Sequence, residues 1–550
     1  MNNVNIFALG GQDENGKNCY IFEHNSDIYV INAGVKVPID ANNGVDTLIP
    51  DFSYLVKNKD KIKGVFITDI KNESFSALPW LLMKIPNLQI YTSAFNKVMV
   101  LERISKYGID QKSFKINTLR GKTKIGSVDV IPFNLTGSMP GNTGFNFSTA
   151  AGDYLFMFNY VEGDLGIYGR TNFKSLANYF SHKPVIALVT DAGRSNVTGR
   201  AIDKYKSNLK LSTAFENTAK DKRIIVGAYG EEMVSIQQVI DLAIKYNRPI
   251  IPYGKTYADL LYLISKFTDN VKLPEVVDYK SIAKYDNAVI LVTAATERLY
   301  NRFERIASEK DVYLKLNNDD TMILMAPPVN GLESKYAEMM DLVAKITPNI
   351  YEILDNDYFY LRPTKEDLLN LVKHLKPSYF IPTQGLYRYL VGASEFICDE
   401  LSKKQNIDPI VLLNGKIAHF QGEKLFSHNG KIKEVGNTII DGFGVGDISS
   451  EVIAEREALG REGVIVINGL YSPKTKKIIG QLHISYIGVI DESEIEETNA
   501  LITDLIVEVF KTKTFTSMRE VNEKLRKTIR KKIFKLKDKD PMVALTLTTI

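Results

Sequence analysis

The stretch GVFITDIKNESFSALP, residues 64–79, predicts a β-strand that ends near Thr68, a polar loop, and a helix that begins near Ser76. Junctions of this kind, from a strand through a loop into a helix, are where α/β proteins place their functional side chains. This loop is therefore the first place to look for chemistry. It has the shape expected at the mouth of a metal site, yet it contains no histidine.

The residues before this stretch predict a β-rich start to the chain. Short apolar runs such as VNIFALGG and DIYVINAG alternate with Gly and Asn turns up to about residue 70. Helical periodicity follows at 77–85 and 93–107, and further strands are predicted at 127–133, 144–148 and 154–158. This order of elements predicts an α/β sandwich.

A second pattern begins after the buried run PVIALVTDA at 184–192. The apolar runs IIVGAYGEE, PIIPYG and NAVILVTAA are separated by predicted helices at 231–246 and 256–267, and this βα alternation predicts a parallel sheet. The strand YFYLRP, the helix EDLLNLVKHLK and the strand SYFIPTQG then resume the first style. The second α/β domain is therefore predicted to be inserted into the first.

Composition limits the class of protein. At 550 residues with 44% hydrophobic and 24% charged residues, the chain is expected to form several globular domains. Residues 1–30 show no signal-peptide pattern, no run is long enough to span a bilayer, and the two cysteines lie far apart, so we expect a cytoplasmic protein without a membrane partner. The net charge of +4 decides little, but residues 511–537 form a basic helical segment that faces solvent, RNA or another subunit.

Four segments carry a resemblance to a known family: ALGGQDENGKNCYIFEHNSDIYVINAGVKVP, GVDTLIPDFSYLVKNKDKIKGVFITD, LKPSYFIPTQGLYRYL and IDGFGVGDISSEVIAERE. In order and spacing they resemble ribonuclease J, from about residue 5 to residue 550. The resemblance implies a metallo-β-lactamase αββα sandwich with an inserted β-CASP α/β domain and a small α/β C-terminal domain. It implies RNA as partner, in mRNA decay and rRNA maturation, and assembly into dimers or tetramers.

The resemblance also implies domain boundaries. The metallo-β-lactamase-like domain is expected at 1–196 and 349–430, and the β-CASP domain at 197–348. A linker is expected at 431–446 and a C-terminal oligomerisation domain at 447–550.

Where the chain departs from the family is the metal site. The family carries His-x-His-x-Asp-His directly after the position of Thr68, and these side chains hold two zinc ions. The corresponding positions here are Asp69, Lys71, Glu73 and Ser74. An ammonium group has no lone pair to donate, so Lys71 cannot act as a ligand.

The remaining ligand positions are also changed: Gly137 in GSMPG, Asn159 after the next strand, and Gln384 in FIPTQG. None of the six histidines stands at a ligand position, and structural or surface roles are expected for them; they are His24, His182, His374, His419, His428 and His483. We therefore expect no metal cofactor, although the family uses zinc.

The substrate-facing motifs of the family are altered as well. YGEE, with Glu231 and Glu232, and AATE replace its Phe-x-Ser-Asn and Gly-Ser-Gln-Gly turns, and two acids repel phosphate. The segment that receives the terminal phosphate is YLRPT, which leaves Arg362 and Thr364 as candidate phosphate-binding residues. For Arg362 the competing interpretation is a surface ion pair.

Framework residues are retained, among them Gly10, Gly11, Gly16, Pro50, Pro382, Gly385 and Gly446. These residue types fix backbone turns and so indicate the fold. Asp69, Glu73 and Asp191 leave open a rebuilt Mg²⁺ or Mn²⁺ site. Against it stands Lys71, which we expect to pair with those acids.

Three functions remain open from the sequence. The first is a catalytically inactive or weak subunit that assembles with an active ribonuclease J paralogue through its C-terminal domain. The second is an active 5′–3′ exo- and endoribonuclease with a rebuilt metal site at Asp69, Glu73 and Asp191. The third is an independent RNA- or ribosome-binding protein.

Overall fold

The alternating apolar runs at the start of the chain form one half of a sandwich. The structure is a computed structural model, and it describes residues 2–37, 47–201, 208–267, 271–329, 331–353, 361–401, 405–441, 444–445, 450–472, 474–475, 477–512 and 517–550. The first sheet has eight strands, in the spatial order Lys424–Lys431, Lys416–Gln421, Asn3–Gly10, Cys19–His24, Asp27–Ile31, Ile62–Phe66, Leu88–Thr92 and Phe114–Thr118.

The second sheet of the sandwich has seven strands. Their spatial order is Asp408–Pro409, Tyr379–Thr383, Val185–Asp191, Asp153–Met157, Thr143–Ser148, Val128–Asn134 and Thr123–Ile125. The strands that begin at Asp153, Val185 and Tyr379 run parallel, with Met157 opposite Thr190 and Asp191 opposite Thr383. This register brings the residues that follow these strands to one edge of the sheet.

Aromatic side chains fill the space between the two sheets. Phe22 and Phe66 of the first sheet contact Phe147 of the second, with ring centroids 5.0 and 5.1 Å apart. Aromatic burial of this size dominates the stability of a core. The sandwich is thus held by the inward-facing positions of both sheets, as the alternation in the sequence requires.

Helices cover the outer faces of the sandwich. On the second sheet, Leu155 and Leu188 pack with Leu368, Leu390 and other apolar side chains in a separate cluster. On the first sheet, Val30 and Val65 face away from the inter-sheet core and are fully buried. The helices of this part of the chain are Ser53–Lys57, Asn72–Phe75, Leu78–Lys84, Ala94–Ser105, Phe173–Tyr179, Lys365–Leu375 and Tyr387–Leu401.

The inserted region contains the parallel sheet that the sequence predicts. Its five strands lie in the order Ile250–Pro252, Val289–Ala294, Ile224–Tyr229, Thr321–Met325 and Ile350–Glu352, and every neighbouring pair is parallel. Its helices are Leu209–Asn217, Met233–Lys245, Lys255–Phe267, Thr296–Ala307 and Glu333–Ala344. The sequence did not single out the strand Thr321–Met325, whose five residues are all buried.

The C-terminal part of the chain forms a second compact unit with its own core. Its main sheet orders the strands Lys477–Ile487, Val464–Ser472 and Met542–Thr549. Its helices are Ser450–Glu462, Ile495–Thr512 and Met518–Lys537. The last of these buries Val521, Leu525, Ile529 and Ile533 at the four-residue spacing of one helix face, which leaves its basic residues on the other faces.

The predicted α/β sandwich with an inserted parallel sheet is confirmed. Gly446 lies outside the described residues, and so do residues 358–360 of the predicted strand YFYLRP. The domain boundaries stay a prediction: the parallel sheet reaches Glu352, just past 348, and a strand at Asn437–Asp441 lies in the expected linker. In the described part of the chain, no helix has the length and apolarity to cross a membrane.

Candidate functional site

The changed ligand positions all follow strands of the sandwich. The loop with Asp69 and Lys71 follows Ile62–Phe66, Gly137 follows Val128–Asn134, and Asn159 follows Asp153–Met157. Asp191 ends its strand, and Gln384 follows the strand Tyr379–Thr383, whose last residue lies opposite Asp191 in register. The fold therefore brings together positions that lie more than three hundred residues apart in the chain, from 69 to 384.

The turn INAG holds the loop 69–74 in place. Ala33 donates its backbone N–H to the carbonyl of Ser74 at 2.8 Å, and Val35 donates to Asn72 at 3.0 Å. A Cβ atom on Gly34 would lie 1.5 Å from the carbonyl oxygen of Glu73, so only glycine permits this approach. The framework glycine thus still shapes the loop although its ligands are gone.

Asp69 is buried and saturated by protein donors. Its Oδ2 accepts from the hydroxyls of Thr68 at 2.8 Å and Ser74 at 3.0 Å and from Nδ2 of Asn159 at 3.3 Å, while its Oδ1 accepts from the backbone of Lys71 at 3.0 Å. Burial raises the pKa of the Asp69 carboxyl, and the hydrogen bonds oppose that rise. Asp69 and Ser74, two of the ligand positions, therefore bind each other.

Lys71 points into the boundary with the inserted domain. Its ammonium forms a buried ion pair with Glu232, with Nζ and Oε1 2.9 Å apart. Burial acts to lower the pKa of Lys71, but the charges of Glu232, Glu73 and Glu231 outweigh it and raise that pKa. Lys71 was expected to pair with Asp69, Glu73 or Asp191. That prediction was wrong, because Glu232 of YGEE, which follows a strand of the inserted sheet, is the ion-pair partner of Lys71.

Glu231 adds a second contact across the same boundary. Its Oε1 accepts the backbone N–H of Asn72 at 2.8 Å. Burial raises the pKa of Glu231 to about 7, although the charge of Lys71 works to lower it. From the sequence, Glu231 and Glu232 were expected only to repel phosphate. The structure shows that they also bind the loop that carries Lys71.

Asp191 is fully buried and bound by Arg362. The guanidinium donates through Nε to Oδ2 and through Nη2 to Oδ1, both at 2.8 Å, which is a bidentate pair. Burial acts to lower the pKa of Arg362, but the charges of Asp191 and Glu73 outweigh it and raise that pKa. Arg362 therefore forms a buried ion pair at the site, and its candidate role in phosphate binding stays a prediction.

Asn159 lies between the two buried acids. Its side-chain amide donates to Asp69, and its backbone N–H donates to Oδ2 of Asp191 at 3.3 Å. Asn159 and Gln384 both adopt positive φ angles, 52° and 58°, which cost energy in residues other than glycine. The backbone at these two positions keeps a strained conformation although neither side chain is a good zinc ligand.

Gly137 leaves no room for a larger residue. A Cβ atom there would lie 2.4 Å from Nδ2 of Asn142 and 3.0 Å from the carbonyl of Asn159. Asn142 donates to that same carbonyl at 2.7 Å. The amide of Asn142 thus crowds the space beside Gly137.

Thr364 caps the helix Lys365–Leu375, and its hydroxyl and backbone N–H both contact Asp367. This geometry uses its polar groups within the fold, and its phosphate-binding role stays a prediction. None of the six histidines contacts the site: His24 bonds Ser127 at 2.7 Å, and His419 bonds Asn5 at 2.7 Å.

The donor set does not fit the zinc pair of the fold family. One ligand position carries a cation, Lys71, and another, Gln384, contacts the guanidinium of Arg362. Arg362 also binds both carboxylate oxygens of Asp191. Among the described residues, no group of three or more His, Cys, Asp and Glu side chains is arranged to hold a metal ion.

The fold and the position of this site define the class of protein: a metallo-β-lactamase sandwich with an inserted β-CASP domain. Residues 221–343 match the family "Ribonuclease J, beta-CASP domain", and residues 451–550 match "Ribonuclease J C-terminal domain". Ribonuclease J2 of Bacillus subtilis is 26% identical over 98% of both chains. These matches support membership of the chain in the ribonuclease J family and, with it, a ribonuclease-like role in RNA processing.

Two further comparisons extend this result. An uncharacterized protein of Mycoplasma genitalium is 27% identical over the full length of both chains. The crystal structure of a protein of unknown function from Enterococcus faecalis V583 matches with a TM-score of 0.51 at 12% identity, over 76% of this chain and all of that one. That structural likeness concerns the fold alone.

Breaking the Lys71–Glu232 pair on one side should destabilise the protein strongly. Lys71→Met or Glu232→Leu alone leaves an unpaired buried charge and should cost about 3–5 kcal/mol, whereas the double replacement should recover most of it. The exposed pair Lys345–Asp341 is the matched control, and Lys345→Met should cost less than about 1 kcal/mol. Urea unfolding followed by the fluorescence of Trp80, the one tryptophan, measures all four. Equal costs for Lys71→Met and Lys345→Met would contradict the buried pair.

Glu231 should make stability depend on pH. Because its pKa rises from 4.5 to about 7 on folding, the wild type loses stability as pH rises between these values. Glu231→Gln keeps the acceptor for Asn72 and should gain on the order of 3 kcal/mol at pH 8 but nothing at pH 4. Glu338→Gln, at an exposed position, is the control. Thermal unfolding at both pH values decides, and a pH-independent difference would refute the assignment.

Proposed function

We propose that this chain is a catalytically inactive or weak ribonuclease J subunit that supports mRNA decay and RNA processing by assembling with an active ribonuclease J paralogue. One observation carries the proposal: protein contacts engage most of the changed ligand positions, for example Asp69 with Ser74, Lys71 with Glu232 and Gln384 with Arg362. Arg362 also pairs with the neighbouring buried acid Asp191. The scaffold is intact, and what is missing is the metal chemistry.

Phosphodiester hydrolysis in this fold depends on metal ions that generate and place a nucleophilic hydroxide. Lys71 and Arg362 do not replace that function, since a protonated amine or guanidinium neither ligates a metal nor activates water as a base. Their charges neutralise the neighbouring acids instead. We therefore expect the purified chain to carry no bound zinc and to cut RNA at most weakly.

Assembly is supported by the C-terminal unit. One face of its sheet packs on its own helices, whereas Leu470, Ile479 and Ile487 are 41%, 43% and 64% exposed. Exposed apolar side chains grouped on one sheet are typical of protein–protein interfaces. We infer that this face supports homo- or hetero-dimers and tetramers, in the cytoplasm, with RNA held by the complex.

The assay compares three samples: this chain, an intact ribonuclease J chain from the same genome, and their mixture, each with 5′-monophosphorylated RNA. We expect no decay above background from this chain alone, co-elution of the two chains in stoichiometric amounts, and a changed rate or product pattern in the mixture. Ile487→Asp should weaken co-elution, and Phe426→Asp, at a position 69% exposed in the first unit, should not.

Two outcomes would contradict the proposal. Metal-dependent decay by this chain alone that disappears in the Asp69→Ala/Glu73→Ala/Asp191→Ala variant would establish the rebuilt site. Tight RNA or ribosome binding with no association to an intact ribonuclease J chain would establish the independent binding protein.

A further inference from the structure

A cavity of about 450 Å³ lies in the inserted domain, and none of its described lining residues is a changed ligand position. It opens where Tyr253 and Gly254 follow the strand Ile250–Pro252, at the carboxyl end of the parallel sheet. Crevices at the carboxyl ends of parallel strands are the usual ligand sites of open α/β sheets. The volume falls in the range of small-molecule sites.

The wall of the cavity formed by the helix Thr296–Ala307 is basic. Arg298, Arg302 and Arg305 line it, at spacings of four and three residues that place them on one face of the helix. Nη1 of Arg302 donates to the carbonyls of Tyr253 at 3.2 Å and Thr293 at 3.3 Å, so this guanidinium is fixed by the fold. Arg298 and Arg305 are exposed at the mouth.

The opposite wall is aromatic. The rings of Tyr253 and Tyr279 meet edge to face at 5.9 Å, and those of Tyr279 and Tyr313 do so at 5.2 Å. Tyr313 is 43% exposed, which leaves part of its ring open to a ligand. A row of tyrosines with one accessible face is a stacking platform for a planar group.

Asp311 organises this wall. It accepts the hydroxyl of Tyr253 and the backbone N–H groups of Tyr313 and Leu314, both at 3.1 Å. Burial acts to raise the pKa of Asp311, but these hydrogen bonds outweigh it and hold that pKa below its usual value. Asp311 is the single acid among the described lining residues, and its carboxylate oxygens are engaged within the wall, while its charge also acts on Arg305.

We propose that this cavity binds a nucleoside phosphate, with the base stacked on Tyr313 and the phosphate held by Arg305 and Arg298. Guanidinium groups bind phosphate oxygens in pairs, and an aromatic ring accepts any base on its face. An acidic peptide would use the arginines but leave the tyrosine row without a function. A nucleoside phosphate uses both walls.

The ligand has two possible sources with the same chemistry: a free mononucleotide, or a nucleotide within an RNA strand. The RNA source rests on the proposed function, whereas the mononucleotide source does not. Nothing in the site at Asp69, Lys71 and Arg362 contributes to the cavity, so the two sites are testable separately.

The experiment uses the full-length chain and four probes: adenosine 5′-monophosphate, adenosine, inorganic phosphate, and a fluorescein-labelled RNA of about 12 nucleotides. Calorimetry measures the binding of the three small probes, and fluorescence anisotropy measures the binding of the RNA. The variants are Arg305→Ala and Tyr313→Ala. The controls are Lys266→Ala and Tyr262→Ala, an exposed cation–aromatic pair of the same domain outside the cavity.

We expect each cavity variant to weaken nucleotide binding about 10-fold, and each control to change it by less than about 2-fold. Arg305→Lys should retain part of the affinity, because it keeps the charge and loses the paired hydrogen bonds. Binding of the mononucleotide identifies a free nucleotide as ligand, and binding of the RNA alone, with the same variant pattern, identifies a strand.

Three results would overturn the proposal. The first is that no probe binds. The second is that cavity and control variants bind equally. The third is that inorganic phosphate binds as tightly as the nucleotide and Tyr313→Ala has no effect. If the chain binds the mononucleotide but not the RNA, the result supports the cavity as a nucleotide site and counts against RNA binding by this chain in the proposed function.

Discussion

The buried ion pair between Arg362 and Asp191 is the interaction on which the structure of the site depends. Asp191 has no exposed surface and ends a central strand of the second sheet, so its charge requires compensation inside the protein. The guanidinium of Arg362 supplies it through two hydrogen bonds of 2.8 Å.

Lys71 likewise compensates buried acids of the site with its positive charge. The scaffold brings Asp69, Glu73 and Asp191 together, and the inserted domain adds Glu231 and Glu232. Without metal ions this group of carboxylates would be strongly destabilised by burial and mutual repulsion. Two covalently attached cations now neutralise it, and one of them, through Glu232, also binds the inserted domain to the loop of the sandwich.

The sequence predicted the fold well because the fold rests on local signals. Alternating apolar runs, the turn glycines and the βα rhythm each report backbone geometry, and Gly34 shows why: any side chain there would strike Glu73. The sequence also located the five segments that converge, because a strand end followed by a loop is visible in a linear pattern. The strand Thr321–Met325 escaped, since a short buried apolar run has no distinguishing period.

The pairing of side chains within the site was less accessible. Three acids act on the charge of Lys71, namely Glu73, Glu231 and Glu232, and only the tertiary packing selects Glu232 as its ion-pair partner. The same holds for the bridge made by Asn159 and for the cavity of the inserted domain, whose walls come from residues 253, 279, 298–305 and 313. Neither shows a motif in the sequence, since each joins residues that are separated by other elements.

A zinc titration of the purified full-length chain, followed by elemental analysis after gel filtration, tests directly whether Lys71 and Arg362 exclude zinc from the site. An intact ribonuclease J chain, treated identically, is the positive control. Because the cations of Lys71 and Arg362 neutralise the acids of this site, we expect less than about 0.1 zinc per chain at micromolar free zinc. Two zinc ions per chain, retained through gel filtration and lost in the Asp69→Ala/Asp191→Ala variant, would contradict it.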